Sequence, residues 1–236
     1  PKFRNILAST MGEFIPLFPT ILAVTELGLT ASEKKNITKY ILQNCNQFKK
    51  KSKDGVIFEE SPSKLHRVPI MEPLIQKLIP AVREAIKGYG VNPEYIKFHI
   101  TRSWANLNTR SSVTSAHTHI NSHLSIVYYP DMSCNQATIN FLEPSPAHNW
   151  IPGIMDPSYI KIGVFKQTKA SATTLCFEPK EDTCLIFPSS LAHSVSENPS
   201  EQPRLSIAMD TLFTLRRYQR DEPLLPPPSD WREFAF

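Results

Sequence analysis

From His117 to Tyr129 the chain reads HTHINSHLSIVYY. Its second half, Leu124 to Tyr129, is rich in β-branched and aromatic residues and reads as a strand. Its first half carries two histidines at i and i+2. On extended backbone such residues face the same side, about 6.5–7 Å apart from the per-residue rise. Two imidazoles so placed can converge on one metal ion, although a lone HxH also suits an exposed strand edge. On the same alternation Asn121, His123, Ser125, Val127 and Tyr129 share the face of His119.

Outward from this stretch the texture stays β-like. Downstream, Ala137 to Leu142, Thr173 to Phe177, Thr183 to Phe187 and Arg204 to Leu215 read as strands bounded by turn residues. Upstream, Tyr95 to Asn106 alternates Ile96, Phe98 and Ile100 against Lys97, His99 and Thr101. The ratio of 21 Pro to 7 Gly points to stiff loops rather than flexible linkers.

The front of the chain differs. Phe14 to Leu27 reads as an opening strand. Thr30 and Glu33 have capping-box spacing, and Ile37, Ile41, Cys45 and Phe48 recur at helical intervals behind them. A second helix starts near Met71-Glu72-Pro73, carries the stripe Leu74, Leu78, Val82, Ala85 and Ile86, and ends at Gly88-Tyr89-Gly90. Pro80 inside it predicts a kink or break. The expected organisation is a single domain over residues 1–221. A helical buttress (about 30–90) packs on a mainly β core (about 94–215), and residues 222–236 form an extended arm. Trp231 and Phe234 would dock that arm on the body or on another subunit, the latter giving a homodimer. Pro144 to Lys169, long and Pro-rich, reads as a lid or binding loop.

Composition sets the outer limits. Of 236 residues, 41% are hydrophobic and 20% charged, an ordinary globular balance. A net charge of +4 is too small to argue for nucleic acid. Lys49 to Lys53, the densest basic run, reads as a solvated helix end and loop. No stretch reaches the apolar length of a membrane-spanning helix; the richest, Phe14 to Val24, is short and holds Pro16 and Pro19. No signal-peptide pattern opens the chain, which starts at Pro1. Cys45, Cys134, Cys176 and Cys184 show no CxxC pairing, which fits a reduced, cytoplasmic setting.

Two further signals bear on chemistry. The apolar strand Thr183 to Phe187 ends at Pro188, and His193 follows shortly after. Beside the upstream HxH it completes three nitrogen ligands from distant strands, with no cysteine at ligand spacing. Eleven residues later comes Arg204-Leu205-Ser206. On a strand Arg204 and Ser206 share a face, and a guanidinium beside a hydroxyl suits a carboxylate. Asn106, Ser125 and Tyr129 could line the same cavity, with Trp104 and Trp150 as a substrate wall. His66, His99 and His148 have no partner spacing.

The order HxH, a buried strand ending in FPS, His, then RxS resembles the Fe(II)/2-oxoglutarate oxygenase superfamily. More narrowly, LFPT, SWANLN, HTHINSHLSIVYY, LIFPSSLAHSVSEN and RLSIAMD resemble a bacterial and phage branch of it. The resemblance implies a double-stranded β-helix (jelly-roll, cupin-like) with the N-terminal helices packed on its sheet. It implies Fe(II) and 2-oxoglutarate as cofactors, O2 as co-substrate, and hydroxylation of a small molecule or peptide. His117 and His193 match the histidine ligands, and His119 stands where the superfamily carries Asp or Glu. Glu143 is the alternative third ligand. Arg204 and Ser206 match the 2-oxoglutarate clamp, and Tyr129 or Asn106 would add a hydrogen bond. Two rival readings stay open: a zinc-dependent hydrolase and a non-catalytic barrel binding metal or a small acid. No nucleic-acid or membrane partner is expected.

Overall fold

The computed structural model describes residues 19–44, 49–53, 56–60, 64–132, 137–143, 168, 172–217 and 224–234, with side chains of 49–60 left aside. Two antiparallel sheets dominate it. The larger contains β1 (Ala23–Glu26), β2 (Lys49–Lys53), β3 (Val56–Glu60), β4 (Ile96–Asn108), β6 (Leu124–Tyr129), β9 (Thr183–Pro188) and β11 (Arg204–Leu215). Its order is β1-β9-β6-β11-β4-β3-β2. The smaller contains β5 (Thr114–His117), β7 (Ile139–Leu142), β8 (Thr174–Phe177) and β10 (His193–Val195), ordered β5-β10-β7-β8. Two stacked sheets with strands alternating between them form the expected double-stranded β-helix.

Strand alternation divides the larger sheet between two layers. On β6, Leu124, Ile126 and Tyr128 join the core under the helices, while Val127 and Tyr129 face the smaller sheet. On β9, Cys184 and Ile186 join the first, and Leu185 and Phe187 the second. Both faces are covered, so these strands read as unbroken apolar runs rather than alternating ones.

The first core is roofed by helices α1 (Ala31–Asn44) and α2 (Glu72–Gly88). Thr30 and Glu33 close the capping box: the Thr30 N–H donates to Glu33 Oε2 at 2.8 Å, and the Glu33 N–H donates to Thr30 Oγ1 at 3.2 Å. Ile37 and Ile41 are fully buried; Cys45 and Phe48 lie outside the described residues. The α2 stripe Leu74, Leu78, Val82, Ala85 and Ile86 is buried as expected. Gly90, at φ +80°, takes the left-handed backbone that ends the helix.

Three expectations are corrected. α2 runs through Pro80 without a break. Pro80 is exposed, so water can hydrate the carbonyl left without a helical donor, while the buried stripe on the other side holds the helix together. Pro80→Ala should therefore stabilise the protein by about 2 kcal/mol, less the entropy that proline removes from the unfolded chain; urea denaturation measures it. Second, Lys49–Lys53 is a strand, paired with β3 from Lys49↔Glu60 to Lys53↔Val56. Strand pairing overrides its weak intrinsic preference, and a hairpin thus interrupts the helical region. Third, in the described part of Phe14 to Leu27, residues 19–27, only Ala23–Glu26 is strand.

One irregularity decides which side chains meet the cavity. β11 pairs β4 along its whole length, with a register shift between Asp210 and Thr211. Asp210 pairs Arg102 while Thr211 pairs Ile100, so Thr101 is the extra residue of a β-bulge. Before it, Ile96, Phe98 and Ile100 face the helices. After it the alternation on β4 flips: Ala105 and Leu107 face the helices, and Arg102, Trp104, Asn106 and Asn108 turn to the cavity.

No helix among the described residues is long and apolar enough to cross a membrane. Near the C-terminus, the Leu215 N–H donates to the Leu225 carbonyl at 2.9 Å.

Candidate functional site

Between the sheets lies a cavity of about 570 Å³. Sheet pairing brings two of its histidines together. His117, the last residue of β5, sits directly opposite His193, the first of β10. His119 lies just past β5, where the strand has ended, and its N–H donates to the Ser189 carbonyl at 3.0 Å. The HxH pair therefore does not share one continuous strand, as its spacing suggested. A turn at Ile120-Asn121, with Asn121 at φ +58°, separates it from β6.

The three rings cluster regardless. Centroids lie 5.2 Å apart for His117–His119, 4.4 Å for His117–His193 and 5.1 Å for His119–His193. One nitrogen from each lies within 4.8 Å of the others. Hydrogen bonds settle which nitrogen is free. His117 Nδ1 lies 2.8 Å from the Ser115 carbonyl, and His193 Nδ1 lies 3.0 Å from the Leu191 carbonyl. His119 Nδ1 lies 2.5 Å from Asp210 Oδ1. Each partner is an acceptor, so each Nδ1 carries the hydrogen and each Nε2 keeps its lone pair. His119 Nε2 is buried with no hydrogen-bond partner. Three convergent lone pairs, one of them orphaned, fit a divalent cation of intermediate softness such as iron(II).

Burial favours the neutral form of two of these rings, His193 and His117. It pushes His193 down to about 4, against a weaker upward pull from the Leu191 carbonyl; burial also lowers His117. The sign for stability follows. Above pH about 6.5, the ordinary histidine value, neither state protonates His193. As pH falls towards about 4, only the unfolded chain takes up the proton, so the metal-free protein loses stability across that window. Melting temperatures of metal-free protein from pH 7 to pH 4 check this (His193→Gln flattens the profile in that range).

Deeper in the cavity sits Arg204, 1% exposed. Its Nη2 donates to Tyr129 Oη at 2.9 Å, and its guanidinium carbon lies 4.7 Å over the Tyr129 ring. Its Nη1 approaches Asn108 Oδ1 at 3.4 Å, and its Nε has no partner. Among the described residues no carboxylate lies within ion-pair distance of it. A buried guanidinium without a counter-charge is costly, so this arrangement fits an anionic ligand that completes it. Ser206 and Asn106 line the same cavity.

Other expected residues fall elsewhere. Ser125 is not on the cavity wall; its Oγ lies 3.0 Å from Ser189 Oγ, bracing the loop under His119. His123 turns to the helix side, where its Nδ1 accepts from the Phe213 N–H at 3.1 Å, because the turn at Asn121 breaks the alternation assumed for it. Glu143 follows β7 and is absent from both the histidine cluster and the cavity lining. Trp104 stacks on His119 at 5.6 Å. Trp150, His148 and, apart from Thr168, the Pro144–Lys169 segment lie outside the described residues. Sequence reasoning missed Asn108 and Asp210. Their signal was parity: Asn108 follows Trp104 and Asn106 on β4, and Asp210 follows Arg204 and Ser206 on β11.

Residues 102–210 match the family model described as "Putative 2OG-Fe(II) oxygenase". Over that stretch the chain is similar to this family. The chain is also similar in fold to solved structures. The epimerase SnoN from nogalamycin biosynthesis aligns with TM-score 0.59 and 13% identity, over 84% of this chain and 81% of that one. HygX from Streptomyces hygroscopicus, with nickel and 2-oxoglutarate bound, gives 0.53 and 13%, over 81% and 82%. A Pseudomonas putida prolyl-4-hydroxylase gives 0.50 and 9%, over 81% and 92%. No curated protein matches the chain by sequence. The buried, partnerless His119 Nε2 and the Arg204 guanidinium, which no carboxylate approaches among the described residues, are the features that fit a metal ion and an anionic ligand.

Proposed function

We propose that the protein is an Fe(II)/2-oxoglutarate-dependent dioxygenase that hydroxylates a C–H bond of a small molecule or peptide. His117, His119 and His193 hold the iron through Nε2. Arg204, steadied by the Tyr129 hydroxyl, receives the far carboxylate of 2-oxoglutarate, with Ser206 and Asn106 beside it. Bound together, iron and 2-oxoglutarate supply the oxidising chemistry, in which O2 is reduced while 2-oxoglutarate loses CO2 to become succinate.

The chain's own residues do the rest. The Nδ1 hydrogen bonds fix ring orientation and tautomer before the metal arrives. Three protein ligands leave coordination positions open for a chelating keto acid and O2. Tyr129, buried and with its hydroxyl held above its ordinary range by that burial, stays a neutral phenol against Arg204. His117 is the exposed member of the triad, so substrate approaches from its side.

The observation that carries this reading is the buried Arg204, with no carboxylate partner among the described residues, sharing one cavity with three convergent imidazoles. A zinc hydrolase would leave that guanidinium without a task. Succinate release from 2-oxoglutarate in air, with added Fe(II) and a panel of metabolites and peptides, tests it. The expected result is slow release without substrate and faster release with a matching one. No release under any condition, with no 2-oxoglutarate bound, overturns it.

A further inference from the structure

His119 occupies the position where a carboxylate would lower the charge of a two-histidine iron site. Its surroundings hold a carboxylate one residue further out. Asp210 Oδ1 lies 2.5 Å from His119 Nδ1, and Asp210 is 3% exposed. The contact lies beside the bulge at Thr101, where the β4–β11 register shifts between Asp210 and Thr211. Thr101 Oγ1 donates to the Asp210 carbonyl at 3.1 Å, fixing the backbone there. The other face of His119 is closed by Trp104, whose ring lies nearly parallel at 21°. Arg102 reaches the second Asp210 oxygen, Nε to Oδ2 at 3.5 Å, from a position 55% exposed.

Resting on the reading of His119 as a ligand, we propose that Asp210 is a positioning residue delivering carboxylate character to the metal through the His119 ring. An Nδ1–H held by an anion makes the opposite nitrogen a stronger donor. Three neutral imidazoles leave a divalent site at +2, and Asp210, one hydrogen bond away, brings its neighbourhood to +1. That is the charge of the usual two-histidine, one-carboxylate arrangement. Arg102 does not cancel the effect, since water screens an exposed guanidinium. Asp210 so held also cannot reach the ion itself: it is absent from the cluster of potential ligand atoms that the three histidines form.

The test is Co(II) binding to the whole protein, followed by affinity and by the visible ligand-field spectrum. Asp210→Asn keeps the shape and an oxygen acceptor but removes the charge. The expected result is about 10- to 100-fold weaker Co(II) binding and a shifted spectrum, with the melting temperature of the metal-free protein retained. Wild-type affinity and spectrum in Asp210→Asn would overturn the inference. Because Asp210 is buried, a second comparison guards against misfolding. In the H119D background, where the ion has its carboxylate directly, Asp210→Asn should no longer weaken Co(II) binding. An equal loss in both backgrounds also overturns it. Failure of the wild-type protein to bind Co(II) would instead sink the metal-site reading on which this rests.

Discussion

Arg204→Met is expected to abolish 2-oxoglutarate binding while leaving the metal-free protein at least as stable as wild type. The two halves have one cause. Arg204 is buried with a phenol and an amide for company and, among the described residues, no counter-charge. In the free protein its charge is a burden, and a methionine of similar length fills the space without one. With 2-oxoglutarate bound, the guanidinium gains a carboxylate in a dry pocket. Truncating one partner of such a pair costs about 2–5 kcal/mol, on the order of 30- to several-thousand-fold in affinity. Calorimetric titration of 2-oxoglutarate and its effect on melting temperature separate the two halves. A merely structural Arg204 would show the reverse: lower stability and intact binding.

His193→Ala is expected to eliminate metal retention. His193 is the most buried of the three imidazoles and stands opposite His117 across the β5–β10 pair. Its Nε2 is committed to the cluster because its Nδ1 is bound to the Leu191 carbonyl. Metal sites with fully provided ligands bind with about 10–16 kcal/mol in all, so each of three ligands carries roughly 3–5 kcal/mol. Loss of one is on the order of a thousandfold or more. Metal content after dialysis, read by elemental analysis, checks it. Glu143→Gln should leave metal content unchanged, since Glu143 stands outside the cluster.

How much of this was legible beforehand depends on what fixed each element. Strands β6 and β11 span the residues their sequence suggested, because burial on both faces writes a continuous apolar run. α2 was legible from its stripe, although Pro80 argued locally for a break that tertiary packing overrides. The histidines and Arg204 were legible by type and order, since few other arrangements use them together. Their neighbours were not. Asp210 shares the parity of Arg204 and Ser206 on β11, a signal that points to the cavity but not to His119, while Asn108 lies beyond the one-residue bulge at Thr101, which flips the face read from Ile96 to Ile100 and leaves no trace in local composition. His123 was misplaced because it precedes β6, next to the turn at the left-handed Asn121, whereas Ser125 keeps the face of Val127 and Tyr129 but is engaged by Ser189. The Lys49–Lys53 strand is likewise a product of pairing rather than of propensity.

The central claim is that the three imidazoles and Arg204 hold one ion and one keto acid together. Anaerobic titration of 2-oxoglutarate into Fe(II)-loaded protein tests it most directly. The expected result is a visible charge-transfer band that saturates at one equivalent and is missing from both Arg204→Met and His193→Ala. A protein that takes up Fe(II) and 2-oxoglutarate without any such band, or a band undiminished in either variant, would contradict it.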